Sequence, residues 1–395
     1  MTAASPSHHH AAVPLWRDVR VLRIVSQIVI VLVVVLVIGF LVRNAVTAMA
    51  ERGLVVGYGF LDSTAGFDIA ESPFPYRATD TYGTAFLVGL LNTLFVSVLG
   101  IILATILGII VGVARLSTNF LVNRTAAGYV ELMRNTPLLV QLFILYFAVF
   151  LQLPPVNESM SFLGSVFLNQ RGVFLPAPRP GGSLGTWLAI LAVGFVVALV
   201  IRIIAIRRID AAKPTHRLDI IAGGAVIVVI AAAWFALPER PMTLSSPVPG
   251  RFNFTGGMAF SPEFTALLVG LVIYTAAFIA EVVRGGIQAV RRGQVEAAYA
   301  IGLTGGQTLR LIVFPQALRV IVPPLTSQYL NLAKNSSLAI AIGYPDLFKV
   351  GTTMMNQTGQ PVPVIILVMA TYLSISLVTS LFMNIYNRRI QVLER

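Results

Sequence analysis

The chain has 395 residues, of which 56% are hydrophobic and 11% are charged, and its formal net charge at pH 7 is +12. So few charged groups cannot cover a soluble globule of this length, and the composition excludes an ordinary soluble protein in favour of an integral membrane protein. The absence of cysteine excludes disulfides and thiol nucleophiles, and with only four histidines the sequence predicts no metal site.

The first part of the chain alternates between polar and apolar stretches. Residues 1–23 are predicted to be a cytoplasmic tail, and residues 24–83 to hold a first membrane span, 24–42, followed by an external loop. A second span covers residues 84–112. It contains spaced glycines that would let neighbouring helices approach closely, at positions 89, 100, 108 and 112.

A basic segment that begins at Arg115 follows and is predicted to be cytoplasmic. Thr136 is the expected N-cap and Pro137 the first residue of a third helix that ends near Leu153. This helix completes the first part of a membrane core, residues 84–153.

Two Glu/Arg pairs lie near the predicted cytoplasmic ends of spans. Glu131 and Arg134, like Glu281 and Arg284, are three residues apart, so both pairs share one helix face. We interpret each as a local ion pair that holds the structure together, in preference to a gate.

Residues 154–262 interrupt the core as an insert. Its Pro- and Gly-rich ends are predicted to be external, and two further spans, 184–206 and 218–237, lie between them. Residues 263–395 form the second part of the core, with the three remaining spans at 264–283, 320–342 and 362–386.

The predicted fold is therefore all-α, with about eight transmembrane helices and both termini in the cytoplasm. This arrangement places most of the 28 Lys and Arg residues on the cytoplasmic side. A seven-helix model without the span 218–237 would reverse the charge bias downstream.

The polar connection between the sixth and seventh spans, residues 288–315, has a distinctive pattern. It contains Glu296, Ala297 and Ala298, and Gly302 follows four residues later. Two short helical pieces are expected, separated by glycines that can adopt a positive φ. We expect Glu296 near the start of the first piece, where the helix dipole favours a carboxylate. The small alanines would allow a partner protein to approach, although an ordinary amphipathic hairpin is the simpler alternative.

The spacing Glu-Ala-Ala-x3-Gly-x9-Ile-x-Phe-Pro, which ends at Pro315, resembles the cytoplasmic coupling loop of ABC importer membrane subunits. This resemblance implies that the loop contacts an ATP-hydrolysing partner. The implied coupling residues are Glu296, Ala297, Ala298, Gly302 and Pro315. The chain contains no Gly-x4-Gly-Lys-Ser/Thr phosphate loop, so ATP and Mg would be bound by the partner, and neither an enzymatic activity nor a cofactor is expected in this chain.

Two further regions extend the resemblance. Residues 92–141 resemble the first half of a polar amino-acid ABC permease of the histidine/glutamine type, and residues 274–338 resemble its second half. The insert and the N-terminal span make the chain most similar to the large permeases of general L-amino-acid or glutamate/glutamine/aspartate/asparagine importers. The resemblance implies a type I importer-like core in a bacterial inner membrane. The implied partners are a pair of ATPase subunits, a second and related permease, and a soluble periplasmic amino-acid-binding protein.

Lys334 is the most informative candidate for the substrate path. We place it about midway along a span, where an ammonium group costs about 2.5–3.5 kcal/mol, so it should face a cavity or a partner. It could pair with a substrate carboxylate; alternatively, it could snorkel or pair with another helix. Weaker candidates are neighbouring or similarly placed polar residues, namely Asn335, Ser336, Ser337, Asn92 and Thr93.

Three functions remain open at this point. The first is a transport subunit that imports polar amino acids and is driven by a separate ATPase. The second is an ion-coupled secondary transporter, which would need titratable groups within its spans, and Lys334 alone is thin support for it. The third is a membrane enzyme, for which the sequence offers no nucleophile or metal constellation.

Overall fold

The computed structural model describes residues 19–51, 57–208, 224, 228–250 and 253–391. Helices dominate this part of the chain. The first five are α1 (Val19–Glu51), α2 (Tyr82–Ala114), α3 (Phe120–Asn135), α4 (Leu138–Phe143) and α5 (Leu184–Arg208). Residues 228–236 are also helical, and after them come α6 (Pro262–Gln288), α7 (Arg292–Ala300), α8 (Gly305–Thr308), α9 (Phe314–Asn335), α10 (Leu347–Thr358) and α11 (Pro361–Gln391).

The insert also contains β-structure, so the all-α prediction is wrong in this region. Its described residues form eight short strands, namely β1 (Met160–Phe162), β2 (Val166–Asn169), β3 (Gly172–Leu175), β4 (Ala177–Pro180), β5 (Met242–Ser245), β6 (Val248–Pro249), β7 (Phe254–Thr255) and β8 (Met258–Phe260). All pairings are antiparallel, in one sheet of order β1-β2-β3-β8 and two separate pairs, β4-β5 and β6-β7. Short runs of Val, Phe and Leu between glycine-containing turns explain the strands.

Five helical segments of the described chain are long and apolar enough to cross a membrane: Leu22–Asn44, Tyr82–Ala114, Pro262–Gln288, Gly305–Ala341 and Pro361–Arg388. The pair α3 and α4 makes a sixth if it is counted as one broken span. The apolar stretch of α5, Leu184–Val200, is shorter. Of the predicted span 218–237, the structure describes residue 224 and residues 228–237, and 228–236 are helical. The count of eight helices therefore remains a prediction.

The third predicted span differs from expectation. The segment expected to be a cytoplasmic connection is the amphipathic helix α3, and the chain turns by 104° before it continues as α4 and a π-helical stretch, Ile144–Val149. Pro137, and not Thr136, occupies the N-cap of α4. The Thr136 hydroxyl instead donates to Leu132 O at 2.9 Å, which satisfies the end of α3.

Helices α2 and α6 run parallel to each other and form the centre of the described core. The predicted close approach is confirmed there, since a Cβ on Gly108 would lie 2.5 Å from Ile279 Cγ2. Similarly, a Cβ on Gly112 would lie 2.8 Å from Ala280 O. Substitution of either glycine would force these two helices apart.

The two ends of this helix pair have different surroundings. We call the end where α2 and α6 begin the sheet end, because β8 leads directly into α6 there. The opposite end carries Arg115 and Arg284, and we call it the arginine end. Helix α9 runs antiparallel to α6, from Ile321 beside Gly286 to Leu332 beside Gly100.

The segment 57–81, predicted as a simple external loop, packs over the sheet end. Phe60 is buried against Tyr82 in an edge-to-face contact with ring centroids 6.1 Å apart. Thr64 pairs with Thr81 in an isolated antiparallel bridge. This segment is therefore part of the folded core.

Candidate functional site

The segment that follows α6 forms an ordered helical turn at the arginine end. Helix α7 carries the Glu-Ala-Ala triplet, and Ala298 is 2% exposed. Gly302, with a φ of 84°, reverses the chain immediately afterwards. Its N–H donates to Tyr299 O at 2.9 Å, and the N–H of Leu303 donates to Ala298 O at 3.1 Å. These bonds satisfy the last carbonyls of α7, and the positive φ explains why glycine is present.

A second short helix follows directly. Thr304 and Gln307 form a capping box that begins α8, and a π-helical stretch, Leu309–Val313, connects it to α9. Pro315 lies in the first turn of α9. The two expected helical pieces are thus present. Gly305 and Gly306, expected in the break, instead form the first turn of α8.

The position of Glu296 corrects one expectation. It lies in the middle of α7, and the first turn of that helix contains no acidic residue. The helix dipole therefore does not explain this carboxylate. Both Glu296 and Ala297 are exposed, so their side chains are available for contact with another protein.

Large exposed apolar side chains follow the triplet. Tyr299 is 55% exposed and Ile301 76%. Exposed apolar side chains grouped beside a carboxylate are typical of a protein contact surface. We call Glu296, Ala297, Tyr299 and Ile301 the loop surface.

A charge cluster centred on Glu281 ties three helical elements together at the arginine end. Arg284 donates to Glu281 Oε2 from Nε at 3.1 Å and from Nη2 at 2.9 Å, which confirms the predicted i,i+3 pair. Arg115, just after α2, pairs with Glu281 Oε1. Arg134 of α3 approaches the same oxygen at 4.0 Å and lies over the Phe278 ring.

The expected Glu131–Arg134 ion pair is replaced by this arrangement. The α3–α4 bend directs Arg134 towards α6, and so its carboxylate partner among the described residues is Glu281. The sequence spacing of Glu131 and Arg134 within one helix could not reveal that Arg134 would pair with a carboxylate on another helix.

A cavity of 450 Å³ lies at the sheet end. Its walls come from segment 57–81, α2, β8 and the start of α6, with Tyr344 from the connection between α9 and α10. Asn92 lines it, whereas Thr93 is fully buried and its Oγ1 accepts from the Leu347 N–H at 2.9 Å. Asn92 Nδ2 donates to Glu71 O and to Pro345 O, both at 2.9 Å.

These contacts bear on two predicted substrate-path residues. The amide N–H groups of Asn92 and the hydroxyl of Thr93 hold segment 57–81 and α10 against α2. A positioning role is therefore visible in the structure for both residues. Any direct contact of Asn92 or Thr93 with a substrate stays a prediction.

Lys334 lies in the last turn of α9 and is exposed, so its expected place midway along a helix is wrong. A 3₁₀ stretch, Ser336–Ala341, continues the chain beyond it. The Ser337 hydroxyl donates to Lys334 O at 2.7 Å, and the buried Ser336 hydroxyl donates to Ala333 O at 2.8 Å. Asn335 is half-buried. The roles of these four residues in transport stay predictions.

A buried carboxylate was missed by the sequence reasoning. Asp346 is 0% exposed, and its Oδ1 accepts from the Lys349 N–H at 2.8 Å as the N-cap of α10. Tyr372 donates to Asp346 Oδ2 at 3.1 Å. Burial raises the pKa of Asp346 to about 6. An aspartate directly before an apolar helix is an N-cap signal that could have located it.

Comparison with known proteins identifies the family. A model of the inner membrane component of binding-protein-dependent transport systems matches residues 218–392. The chain is 45% identical over 373 residues to the amino-acid ABC transporter permease protein YhdX of Escherichia coli (strain K12), with 93% of this chain and 94% of the relative covered. The chain belongs to the amino-acid ABC transporter permeases.

Two more relatives of this permease have more specific names. It is 43% identical to the general L-amino acid transport system permease protein AapQ of Rhizobium johnstonii, with 92% of each chain covered. It is 42% identical to the glutamate/glutamine/aspartate/asparagine transport system permease protein BztB of Rhodobacter capsulatus, with 96% of each chain covered. Alignments this long include most of the insert, which is thus shared with these relatives.

The resemblance drawn from the coupling-loop and core motifs is confirmed by these alignments, and this permease is a multi-pass membrane protein. Membership of the ABC permeases disfavours the ion-coupled alternative. The roles of Glu296 and Lys334 in coupling and substrate transport stay predictions.

Proposed function

We propose that this permease is the transport subunit of an ATP-driven importer that carries polar L-amino acids, including glutamate, glutamine, aspartate and asparagine, across the bacterial inner membrane. The names of AapQ and BztB, which align over almost the whole chain, support this substrate class. The sheet end faces the outside, and the arginine end and both termini face the cytoplasm. This orientation follows from the rule that the cytoplasmic loops of membrane proteins carry an excess of Lys and Arg.

The loop surface carries this proposal. It presents Glu296 and Ala297 among exposed apolar side chains on an ordered turn, which is what a docking partner requires. The chain has no phosphate loop of its own, so the partner that docks there is a pair of ATPase subunits that bind ATP and Mg.

Motion of the loop surface can reach the membrane part through two direct connections. Helix α7 follows α6 after a short link, and the π-helical stretch Leu309–Val313 leads without interruption into α9. ATP-driven closure of the partner would then shift α6 and α9 together. Such a shift changes the balance between inward-open and outward-open states because these states differ in their contacts.

Two further partners complete the importer. A second, related permease completes the membrane part, and a soluble periplasmic amino-acid-binding protein delivers the substrate at the sheet end. Lys334 lies at the end of α9 opposite the loop surface, and we propose that its ammonium group attracts the substrate carboxylate.

Affinity purification of the tagged chain in mild detergent tests the proposal. We expect an ATPase and a second, shorter permease to co-purify, and we expect proteoliposomes with the complex to accumulate amino acids only with ATP inside. A chain that purifies alone and drives uptake that collapses when the proton or sodium gradient is removed would establish the ion-coupled alternative instead.

A further inference from the structure

The 450 Å³ cavity at the sheet end has the size of a small-molecule site. It lies where the two additions to the compact core meet. Segment 57–81 supplies Glu71, and the insert supplies β8, whose residue Phe260 lines the opposite wall. Neither addition builds this cavity alone.

Glu71 gives the cavity a negative charge. It is the only carboxylate among the described residues that line the cavity, and none of them is lysine or arginine. Its Oε1 accepts from the Ser261 N–H at 2.7 Å, which fixes the side chain beside the start of α6. Burial raises the pKa of Glu71, and the nearby charge of Glu263 raises it further. A cation in the cavity would offset both effects, namely the burial of the Glu71 carboxylate and its repulsion by Glu263.

Aromatic rings form much of the remaining wall. Phe260 and Phe264 are stacked with centroids 4.8 Å apart, and Phe95 stacks on Phe264 at 5.5 Å. Tyr344 adds a fourth ring, 5.7 Å from Phe264. Aromatic faces attract ammonium groups, and they do so more strongly where water is partly excluded.

We propose that this cavity binds the α-ammonium group of an amino acid, with Glu71 as its counter-charge and the aromatic wall as a cation–π surface. The identity of the ligand as an amino acid rests on the proposed transport function. The site recognises a group that every free amino acid shares, so it selects against molecules that lack an α-amino group while it tolerates different side chains.

Thermal unfolding of the purified full chain in detergent tests this inference directly. A ligand that binds the folded chain raises its unfolding temperature. The probes are L-glutamine, L-glutamate, L-asparagine and L-aspartate, compared with glutaramate, which is glutamine without its α-amino group. We expect at least one amino acid to raise the unfolding temperature, and we expect no rise with glutaramate.

The variant Glu71→Gln keeps an acceptor for the Ser261 N–H and removes the charge. We expect the dissociation constant to rise at least roughly tenfold, the effect of losing one charge-assisted contact. Glu158→Gln is the matched control, because Glu158 is an exposed carboxylate of the insert that does not line the cavity. It should bind as the wild type does. If Glu71→Gln fails to fold, Phe95→Leu, at a 47% exposed cavity residue, should weaken binding about threefold.

Several results would overturn the inference. They are equal binding of glutaramate and glutamine, unchanged binding in Glu71→Gln, unchanged binding in Phe95→Leu where that variant replaces it, and no binding of any of the four amino acids. ATP-driven uptake without binding in this assay would reject the cavity and leave the transport function intact. If amino acids bind and Glu71→Gln weakens that binding as expected, but no ATP-driven uptake is seen, the cavity proposal stands and the proposed transport function is rejected.

Discussion

The sheet end and the loop surface differ in how their polar groups find partners. At the sheet end, the polar side chains of Asn92, Thr93 and Asp346 are buried and bond to backbone groups of this same chain. On the loop surface, Glu296 and Ala297 are exposed beside large apolar side chains such as that of Ile301. The buried polar groups of the sheet end are thus satisfied within this chain, whereas the loop surface is shaped for another protein.

This difference indicates that the two regions have different functions. A closed polar network can hold the walls of a cavity in place without a partner. An exposed surface on an ordered turn can receive a partner without refolding. The closely packed helices α2 and α6 connect the two ends, so a change at one end can reach the other only while that contact is maintained.

The largest expected effect comes from breaking this connection. In Gly108→Val, the new side chain meets Ile279 and the backbone of Ala276, so the protein should lose about 1–3 kcal/mol of stability by overpacking. Thermal unfolding in detergent measures this loss. Gly128→Val is the control, since no atom lies within 4 Å of a Cβ at that position. Equal unfolding temperatures for the two variants would contradict the proposed tight contact.

The loop surface can be tested separately from stability. Glu296→Lys reverses an exposed charge on α7, so we expect ATP-driven uptake to fall at least roughly tenfold while the unfolding temperature stays unchanged. Gln294→Lys adds a charge two residues away, on the opposite face of the same helix, and should leave uptake intact. Unchanged uptake in Glu296→Lys vesicles would argue against docking at this surface.

Sequence reasoning located the helices and the loop well because their signals are local. Runs of apolar residues, the glycines of α2 and the turn at Gly302 are each specified by neighbouring residues. The α3–α4 bend and the insert strands were missed for different reasons. The bend depends on contacts with α6, and strands of two to four residues are too short to show a clear period.

The sheet-end site was largely hidden in the sequence for a similar reason. Glu71, Phe260 and Tyr344 are far apart in the chain and meet only through folding. Asn92 was selected because it interrupts an apolar span, which is a local signal. The N-cap signal of Asp346 is local, but its complete burial depends on the fold and could not be predicted from the sequence.

A smaller effect is expected from the buried carboxylate at the sheet end. The pKa of Asp346 is raised from 3.8 to about 6, so the folded protein holds this proton more tightly than the unfolded chain. Its contribution to stability is therefore present at low pH and is lost as the pH rises through about 6, a change of about 1 kcal/mol between pH 5 and pH 7.

Asp346→Asn keeps an acceptor for the N-cap bond to the Lys349 N–H and removes the titration. Glu71, whose pKa is also raised, contributes a slope of the same sign in both proteins. The measurement is therefore the difference between wild type and variant in the change of unfolding temperature from pH 5 to pH 7. Identical pH dependence would show that Asp346 has an ordinary pKa in the folded protein.

The smallest expected effect concerns Lys334, which lies at the end of α9 opposite the loop surface. Lys334→Gln removes the attraction of the ammonium group for a substrate carboxylate. Because the side chain is exposed and such attraction is weak in water, the KM for uptake should rise by only about two- to fivefold. Lys334→Arg keeps the charge and should restore the KM. Assembly with partner subunits should be normal in both variants. If Lys334→Gln fails to assemble and Lys334→Arg restores assembly, the lysine pairs with a neighbouring helix instead of guiding the substrate.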